Sequence, residues 1–254
     1  MNKLERAIRR TIDNDDLPFI GDINVSCQMK QISKMEVEKF FTKEELENKK
    51  IIYQGSHQVE LLHKFRNIRT ALASNKTGNV VLVTSLAPSY GTSHFTRNLA
   101  AVTSFDSTKT SLLIDCNIDR PSVSHTFELS DRLGVLNYVV DESIAIDDVI
   151  HCSGIKRYRC IPAGNLTDGC EEYFTHPRFK ELLVGLKNRY NDRNIFIDAP
   201  PILTSADTRI LLEVCDQVIV VIPSGKVNTA EMHAVEKVIP KEKFKGVVLN
   251  EYMR

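Results

Sequence analysis

The sequence predicts an α/β domain with a doubly wound, mostly parallel sheet and an N-terminal helical arm. Two observations lead to this fold class. From position 79 onward, short apolar runs alternate with stretches of helical periodicity, which is typical of parallel strands joined by crossover helices. The first part of the chain is instead polar and rich in Lys and Glu, without a strong strand. We therefore place a polar arm at 1–55 and the α/β domain at 56–254.

The elements follow in chain order. In the arm, apolar residues at helical spacing predict a helix within 1–15, and a second helix is expected over 34–48. A helix over 57–74 carries one apolar stripe. Buried strands are then expected at 80–83, 111–114, 195–197, 218–222 and 247–249. Helices between them are expected at 93–104, 134–140, 171–190, 206–214 and 227–239.

Composition excludes several function classes. The chain has 254 residues and equal numbers of basic and acidic side chains (33 each), so no net charge favours nucleic acid or a membrane surface. No apolar run approaches the ~18 residues of a membrane span, and 1–15 lacks the apolar stretch of a secretory signal. Six irregularly spaced cysteines without a C-x-x-C pair favour free thiols. These features predict a cytoplasmic protein.

A candidate phosphate loop follows the first predicted strand, where backbone N–H groups at a helix start can face an anion. A P-loop reads G-x-x-x-x-G-K-[ST], in which the Lys reaches the outer phosphates and the hydroxyl holds Mg²⁺. Gly91 and Ser93 match this pattern, whereas Thr92 stands in the position of the Lys. The candidate nucleotide-binding residues in the loop are Ser89, Tyr90, Gly91, Thr92, Ser93 and His94. Taken alone, this segment also fits an ordinary turn.

Two aspartates follow buried strands. Asp115 comes directly after the second predicted strand, and Asp198 follows the strand at 195–197. A carboxylate in this position beside a phosphate loop is what a Mg²⁺ site needs. Either aspartate alone would be a helix cap or a turn residue. With the loop, the three features at strand ends predict Asp115 and Asp198 as catalytic residues, and both with Ser93 as Mg²⁺ ligands.

These motifs resemble those of the bacterial tyrosine kinases of capsule and exopolysaccharide synthesis, relatives of the chromosome-partition and septum-placement ATPases. The resemblance covers 57–250, about three quarters of the chain. The family's loop, S-x-x-P-G-E-G-K-S-T followed by N-L-A, is matched at Ser85, Pro88, Gly91, Ser93 and 98–100. It implies a fold of P-loop NTPase type and ATP or ADP with Mg²⁺ as ligands.

Two further motifs support the resemblance. The family's D-x-D-x-R-R-P is met by Asp115, Arg120 and Pro121, with Asn117 in place of the second acid. Its I-D-x-P-P segment is met at 197–201, with Asp207 beyond. The terminal G-V-V-L-N segment implies that Asn250 binds nucleotide.

The resemblance also implies partners. The family has an E-x-x-R-x-x-R helix that is associated with ring assembly. Arg66 and Arg69 match this motif, while His63 replaces the glutamate. The resemblance therefore implies a homo-oligomer formed through this helix. The arm is similar to that of stand-alone autokinases in exosortase-linked polysaccharide loci. The implied partner is the cytoplasmic tail of a membrane polysaccharide co-polymerase, which would hold the protein peripherally at the inner membrane.

Departures from the family pattern predict weakened chemistry. Thr92 brings no charge to the phosphates, and Asn117 removes a candidate acid. Ser89 replaces a glycine, and a side chain there restricts how closely the backbone wraps a phosphate. Tyr252 is the only tyrosine after the last predicted strand, so tail autophosphorylation is not expected.

The departures favour a degenerate, kinase-like regulator or scaffold of exopolysaccharide polymerisation or export, a pseudokinase. One alternative is an active protein-tyrosine (auto)kinase or ATPase, in which Arg97, Arg120 or Lys226 supplies the missing charge. Another is a partition-type positioning ATPase, which the D-A-P-P and I-P-A-G segments disfavour.

Overall fold

The computed structural model of the chain describes residues 39–72, 79–165, 173–189 and 193–250. They lie within one unit of the chain, Met35–Arg254. The helix predicted within 1–15, the start of the helix predicted over 34–48, and Tyr252 lie outside the described residues.

The described residues form one sheet of seven strands. These are β1 (Val80–Ser85), β2 (Thr110–Asp115), β3 (His151–Cys152), β4 (Tyr158–Ile161), β5 (Arg193–Asp198), β6 (Gln217–Pro223) and β7 (Phe244–Asn250). Their spatial order is β3-β4-β2-β5-β1-β6-β7. Every neighbouring pair is parallel except β3 with β4. The predicted mostly parallel sheet is confirmed, and all five predicted strands are present.

Eight α-helices connect or precede the strands in the described residues. They are α1 (Lys43–Asn48), α2 (Val59–Leu72), α3 (Thr92–Thr103), α4 (Val123–Phe127), α5 (Val135–Val140), α6 (Pro177–Arg189), α7 (Ala206–Val214) and α8 (Thr229–Val238). None of the helices in this part of the chain is both long and apolar enough to cross a membrane.

Two predicted helices begin later than expected. The helix predicted from position 34 begins at Lys43, because Thr42 and Glu45 form a reciprocal capping box that fixes its first turn. The helix predicted over 171–190 begins at Pro177, a residue that suits the first helical position and cannot donate to a preceding turn.

The strands β3 and β4 and the short helix α4 were not predicted. In β4, Arg159 interrupts what would otherwise be a short apolar run, so neither apolar continuity nor clean alternation marks the strand. Tyr158 and Cys160 are nevertheless fully buried, and β4 extends the sheet beside β2.

Both faces of the sheet are covered. In β1, Val80 and Leu82 belong to one apolar cluster and Val81 and Val83 to the other, as the two-residue period of a strand requires. The first cluster includes buried residues of α5, α6, α7 and α8, and the second includes those of α1, α2, α3 and α4. Burial on both sides explains why the strands are apolar runs rather than alternating ones.

The last part of the predicted arm packs against the α/β core. Leu46, Ile51 and Ile52 are buried in the cluster that contains α3. Asn98 of α3 accepts a hydrogen bond from the Ile52 N–H (2.7 Å) and donates one to the Lys50 carbonyl (3.1 Å). Residues 39–55 are therefore attached to the helix that follows the phosphate loop. The division of the chain at residue 55 stays a prediction.

We expect Asn98→Ala to lower the free energy of unfolding by about 1–3 kcal/mol, because the buried Ile52 N–H and Lys50 carbonyl would lose their partner. Urea denaturation followed by circular dichroism measures this. The matched control is Asn67→Ala on the exposed face of α2, where alanine favours the helix slightly. Equal stability of the two variants would contradict the proposed attachment.

Candidate nucleotide site

The phosphate loop turns sharply between β1 and α3. Gly91 caps α3 with a φ of +86°, and Ser89 has a φ of +65°. The sequence predicted that a serine at 89 would restrict the backbone, but Ser89 adopts the left-handed conformation that glycine prefers. For a residue with a Cβ, this conformation costs about 1–2 kcal/mol, so the rest of the loop must hold it in place.

Gly91 is also a site of close approach. A Cβ at this position would collide with Nδ2 of Asn250, so a larger residue would displace the Asn250 side chain and would also be strained by the positive φ. Asn250, at the end of β7, donates from Nδ2 to the Tyr90 carbonyl (3.0 Å). The structure thus brings Asn250 to the phosphate loop, where one of its two amide N–H groups is already bonded within the chain.

A cleft of about 300 Å³ opens above the loop. Three segments at the carboxyl ends of strands line it: the loop, the turn after β2, and residues 199–201 after β5. The predicted residues Ser89, Gly91, Thr92, Ser93 and His94 line this cleft, as does Asn117. Tyr90, which is part of the loop, and Asn250, which contacts it, do not line the cleft; neither do the fully buried Asp115 and Asp198. The location agrees with ligand binding at the carboxyl edge of an open α/β sheet.

Two buried threonines fix one wall of the cleft. The Pro200 carbonyl accepts hydrogen bonds from Oγ1 of Thr84 (2.6 Å) and Oγ1 of Thr208 (2.9 Å). These bonds tie the 199–201 segment to β1 and α7. Sequence analysis missed both threonines, although a hydroxyl inside an otherwise apolar strand is a signal that could have pointed to Thr84.

The two predicted catalytic aspartates lie side by side. Asp115 and Asp198 are paired residues at the ends of β2 and β5, and both are fully buried. Asp115 accepts three backbone N–H bonds, from Ser122 (2.8 Å), Val123 (2.9 Å) and Asn117 (3.2 Å). Its carboxylate therefore holds the start of α4 and the turn of the second motif.

Asp198 has no such support. Within the described residues, neither carboxylate oxygen of Asp198 accepts a well-formed hydrogen bond, although the Ser93 hydroxyl lies close enough to interact with it. The pKa of Asp198 is raised to about 8, mainly by burial and secondly by the charge of Asp115. The nearby Ser93 hydroxyl and Arg97 lower this pKa only in part. Burial also raises the pKa of Asp115 despite its three backbone bonds. A buried, unpartnered carboxylate beside a second one favours binding of a cation.

The residues present fit Mg²⁺. This ion takes oxygen ligands, usually one or two carboxylates together with substrate phosphates and waters. Asp198 and the Ser93 hydroxyl would hold it. Asp115, also predicted as a ligand, has fewer lone pairs to offer because it already accepts three backbone hydrogen bonds, and its charge acts on the same site. When bound, the ion would neutralise charge on the phosphates. An all-protein cage of three or more His, Cys, Asp or Glu side chains is absent from the described residues, and Mg²⁺ does not require one.

His94 is the other titratable residue of the loop. Burial, followed by the charges of Arg97 and Lys50, lowers the pKa of His94, so its ring is neutral at pH 7. It lies against Asn98, with Nδ2 of Asn98 3.4 Å from Nε2 of His94. At neutral pH, His94 thus offers the cleft a hydrogen bond but no charge.

The predicted oligomerisation residues lie on α2, outside the cleft. His63 and Arg66 are exposed. Arg69 is partly buried and donates from Nη1 to the Val102 carbonyl of α3 (3.2 Å). This contact ties Arg69 to its own chain, so oligomerisation through this helix stays a prediction.

We expect Asp198→Asn to stabilise the ligand-free protein. Because the pKa of Asp198 is raised, the folded protein holds a proton that the unfolded chain releases, and the free energy of unfolding falls as pH rises from about 4 towards 8. The amide of the variant does not titrate, so its free energy of unfolding does not fall in this way. The variant should therefore exceed wild type in free energy of unfolding by an amount that grows between pH 5 and 8 to about 1–3 kcal/mol. Calorimetric melting in EDTA measures it.

Asp115→Asn is the matched control for this prediction. It places an amide NH₂ where backbone N–H groups need an acceptor, so it should destabilise the protein at every pH. If Asp198→Asn were less stable than wild type at pH 8, the view of Asp198 as an uncompensated charge would be wrong.

No protein-family model matches the chain, but known proteins resemble it in sequence. It is 28% identical over 192 residues to the tyrosine-protein kinase YwqD of Bacillus subtilis, covering 74% of this chain and 79% of YwqD. It is 26% identical over 193 residues to the putative tyrosine-protein kinase CapB of Staphylococcus aureus, covering 74% of this chain and 83% of CapB.

Solved structures resemble it in fold. The kinase domain of VpsO superposes with a TM-score of 0.64 at 25% identity, covering 77% of this chain and all of that domain. The kinase domain of the Escherichia coli tyrosine kinase ETK superposes with a TM-score of 0.68 at 21% identity, covering 87% of this chain and 85% of that one. A plasmid partition protein of Borrelia burgdorferi superposes with a TM-score of 0.52 at 20% identity, covering 68% of this chain and 78% of that one. The solved structures confirm the predicted fold of P-loop NTPase type, and the sequence relatives show the chain to be a homologue of bacterial tyrosine-protein kinases.

Proposed function

We propose that this protein is a kinase-like regulator of capsule or exopolysaccharide synthesis that binds nucleotide but transfers phosphoryl groups poorly. Its ligand would be ATP or ADP with Mg²⁺, bound in the cleft above the phosphate loop. The proposal combines a retained site with a damaged catalytic loop.

The observation that carries the proposal is the residue at position 92. Thr92 is the first residue of α3, lies against the cleft and is 8% exposed. A P-loop places a lysine there, and its charge faces the β- and γ-phosphates. Phosphoryl transfer relies mainly on positioning and electrostatic stabilisation, so a neutral threonine removes part of the catalytic charge while leaving the loop intact.

Nucleotide binding is supported by what remains. The cleft, the left-handed turn at Ser89 and Gly91, and the buried carboxylate of Asp198 are all present. Asn117, in place of the family's second acid, lines the same cleft and leaves it less negative than an aspartate would. These features favour binding over turnover.

The polysaccharide part of the proposal rests on the resemblance of three motifs to those of capsule and exopolysaccharide tyrosine kinases. On this basis the partner is the cytoplasmic tail of a membrane polysaccharide co-polymerase, and the protein is cytoplasmic and held at the inner membrane by that tail. Self-association through the exposed His63 and Arg66 on α2 is part of the same proposal.

An active tyrosine kinase or ATPase is the second candidate. Asp115 and Asp198 favour it, because the acids that such chemistry needs are present and adjacent. The two candidates differ in rate: an efficient protein kinase turns over at about 1–100 s⁻¹.

Thr92→Lys should raise phosphoryl transfer. Restoring one charge-stabilising donor is worth about 10²–10³ in rate. The assay follows ³²P from γ-labelled ATP into the protein, into a poly(Glu,Tyr) peptide and into free phosphate, for wild type and variant.

Thr92→Ser, which keeps the hydroxyl and adds no charge, is the control and should behave as wild type. Melting curves check that each variant folds. Wild-type transfer at the rate of an efficient kinase would overturn the proposal in favour of the second candidate.

A further inference from the structure

The cleft contains a cation that can take the place of the missing lysine. Among the described residues that line it, Arg120 is the one permanently charged cation. It lies in the turn after β2, across the cleft from the phosphate loop. Its backbone N–H donates to the Asn117 carbonyl (3.1 Å), which closes this turn.

The Arg120 side chain reaches the loop itself. Nη1 of Arg120 donates to Oγ of Ser89 at 3.4 Å, a long and weak hydrogen bond. Arg120 is exposed, and within the described residues its side chain forms no ion pair. The guanidinium therefore lies at the rim of the phosphate loop with most of its donors available.

Other cations near the loop are placed less well. Arg97 lies close enough to lower the pKa values of Asp115 and Asp198, but its Nε is buried and it is not among the cleft-lining residues. Lys50 affects His94 electrostatically from the segment before α2, and it too does not line the cleft. Arg97 therefore balances part of the negative charge of Asp115 and Asp198, and Arg120 is the cation placed to contact the ligand.

We infer that Arg120 is the phosphate-binding cation of this cleft and replaces the lysine absent at position 92. The inference rests on the proposed nucleotide site. It also gives Ser89 a role: a glycine there could not accept the hydrogen bond, whereas the serine hydroxyl accepts a long, weak one from the guanidinium at the rim of the loop. Arg120 itself matches the family pattern, so the two departures from that pattern, Ser89 and Thr92, leave the positive charge of the site at the rim of the loop instead of inside it.

The chemistry of the guanidinium suits this role. It can bind two phosphate oxygens at once, and it stays charged at every physiological pH. Asp119 lines the same cleft and adds negative charge, which makes a cation at this rim more necessary for an anionic ligand.

The test measures the affinity of the full chain for a fluorescent ADP analogue with Mg²⁺ in a double-mutant cycle. A hydrogen bond between charged groups contributes about 10- to 100-fold in affinity, so Arg120→Ala should weaken binding by that factor. Arg120→Lys should recover part of the loss, and Ser89→Ala, which removes only the hydroxyl, should give a smaller loss. Lys180→Ala, an exposed charge removal on α6, is the control and should bind as wild type.

The decisive comparison uses Thr92→Lys. If Arg120 replaces the lysine, Arg120→Ala should cost several-fold less affinity in the Thr92→Lys background than in wild type. Equal losses in both backgrounds, or no loss in either, would overturn the inference while leaving the nucleotide site in place. Failure of the wild type to bind at millimolar nucleotide would instead overturn the proposed site itself, and the inference with it. Unlabelled pyrophosphate as competitor shows whether the phosphates alone are recognised.

Discussion

The central constraint in this fold is the burial of two carboxylates at adjacent strand ends. Parallel pairing of β2 with β5 places Asp115 and Asp198 opposite each other, with no exposure to solvent. Two like charges in such a place are costly unless other groups compensate them. The protein compensates Asp115 in part, through the backbone N–H groups around α4, and leaves Asp198 to the nearby Ser93 hydroxyl, Arg97 and a proton. That imbalance makes the site receptive to a metal ion.

The surrounding structure keeps this imbalance in place. Thr84 and Thr208 fix the segment after β5, and Asn250 with Gly91 fixes the phosphate loop. The contacts of Thr84 with Pro200 and of Asn250 with Tyr90 join segments remote in sequence, so the cleft depends on several strands of the sheet. Its preorganisation also explains how a serine at 89 can hold a backbone conformation that favours glycine.

Much of the fold could be predicted from the sequence because its strands are buried on both faces and appear as continuous apolar runs. The strand β4 was missed because Arg159 breaks its run, and the start of α1 was misplaced because a capping box outweighed the weak periodicity before it. The strand-end acids and the loop were found from order and spacing alone. Their unequal roles were not, because only the structure shows that backbone donors occupy Asp115 and that Asp198 has none within the described residues. The contact of Arg120 with Ser89 joins residues 31 positions apart and has no local sequence signal.

The position of the cation at the phosphate loop decides whether the site favours binding or catalysis. A lysine within the loop acts on the phosphates during transfer, whereas an arginine at the rim holds them in the bound state. A protein with the second arrangement suits a role in which nucleotide occupancy, rather than turnover, is the signal.

The most direct test of this account is calorimetric titration of the purified protein with ADP, with and without Mg²⁺. We expect Mg²⁺ to strengthen ADP binding by at least about tenfold, since the ion relieves the repulsion between phosphate and buried carboxylate. Binding that is indifferent to Mg²⁺, or none at millimolar ADP, would contradict the claim that the carboxylate pair and the phosphate loop form one nucleotide site.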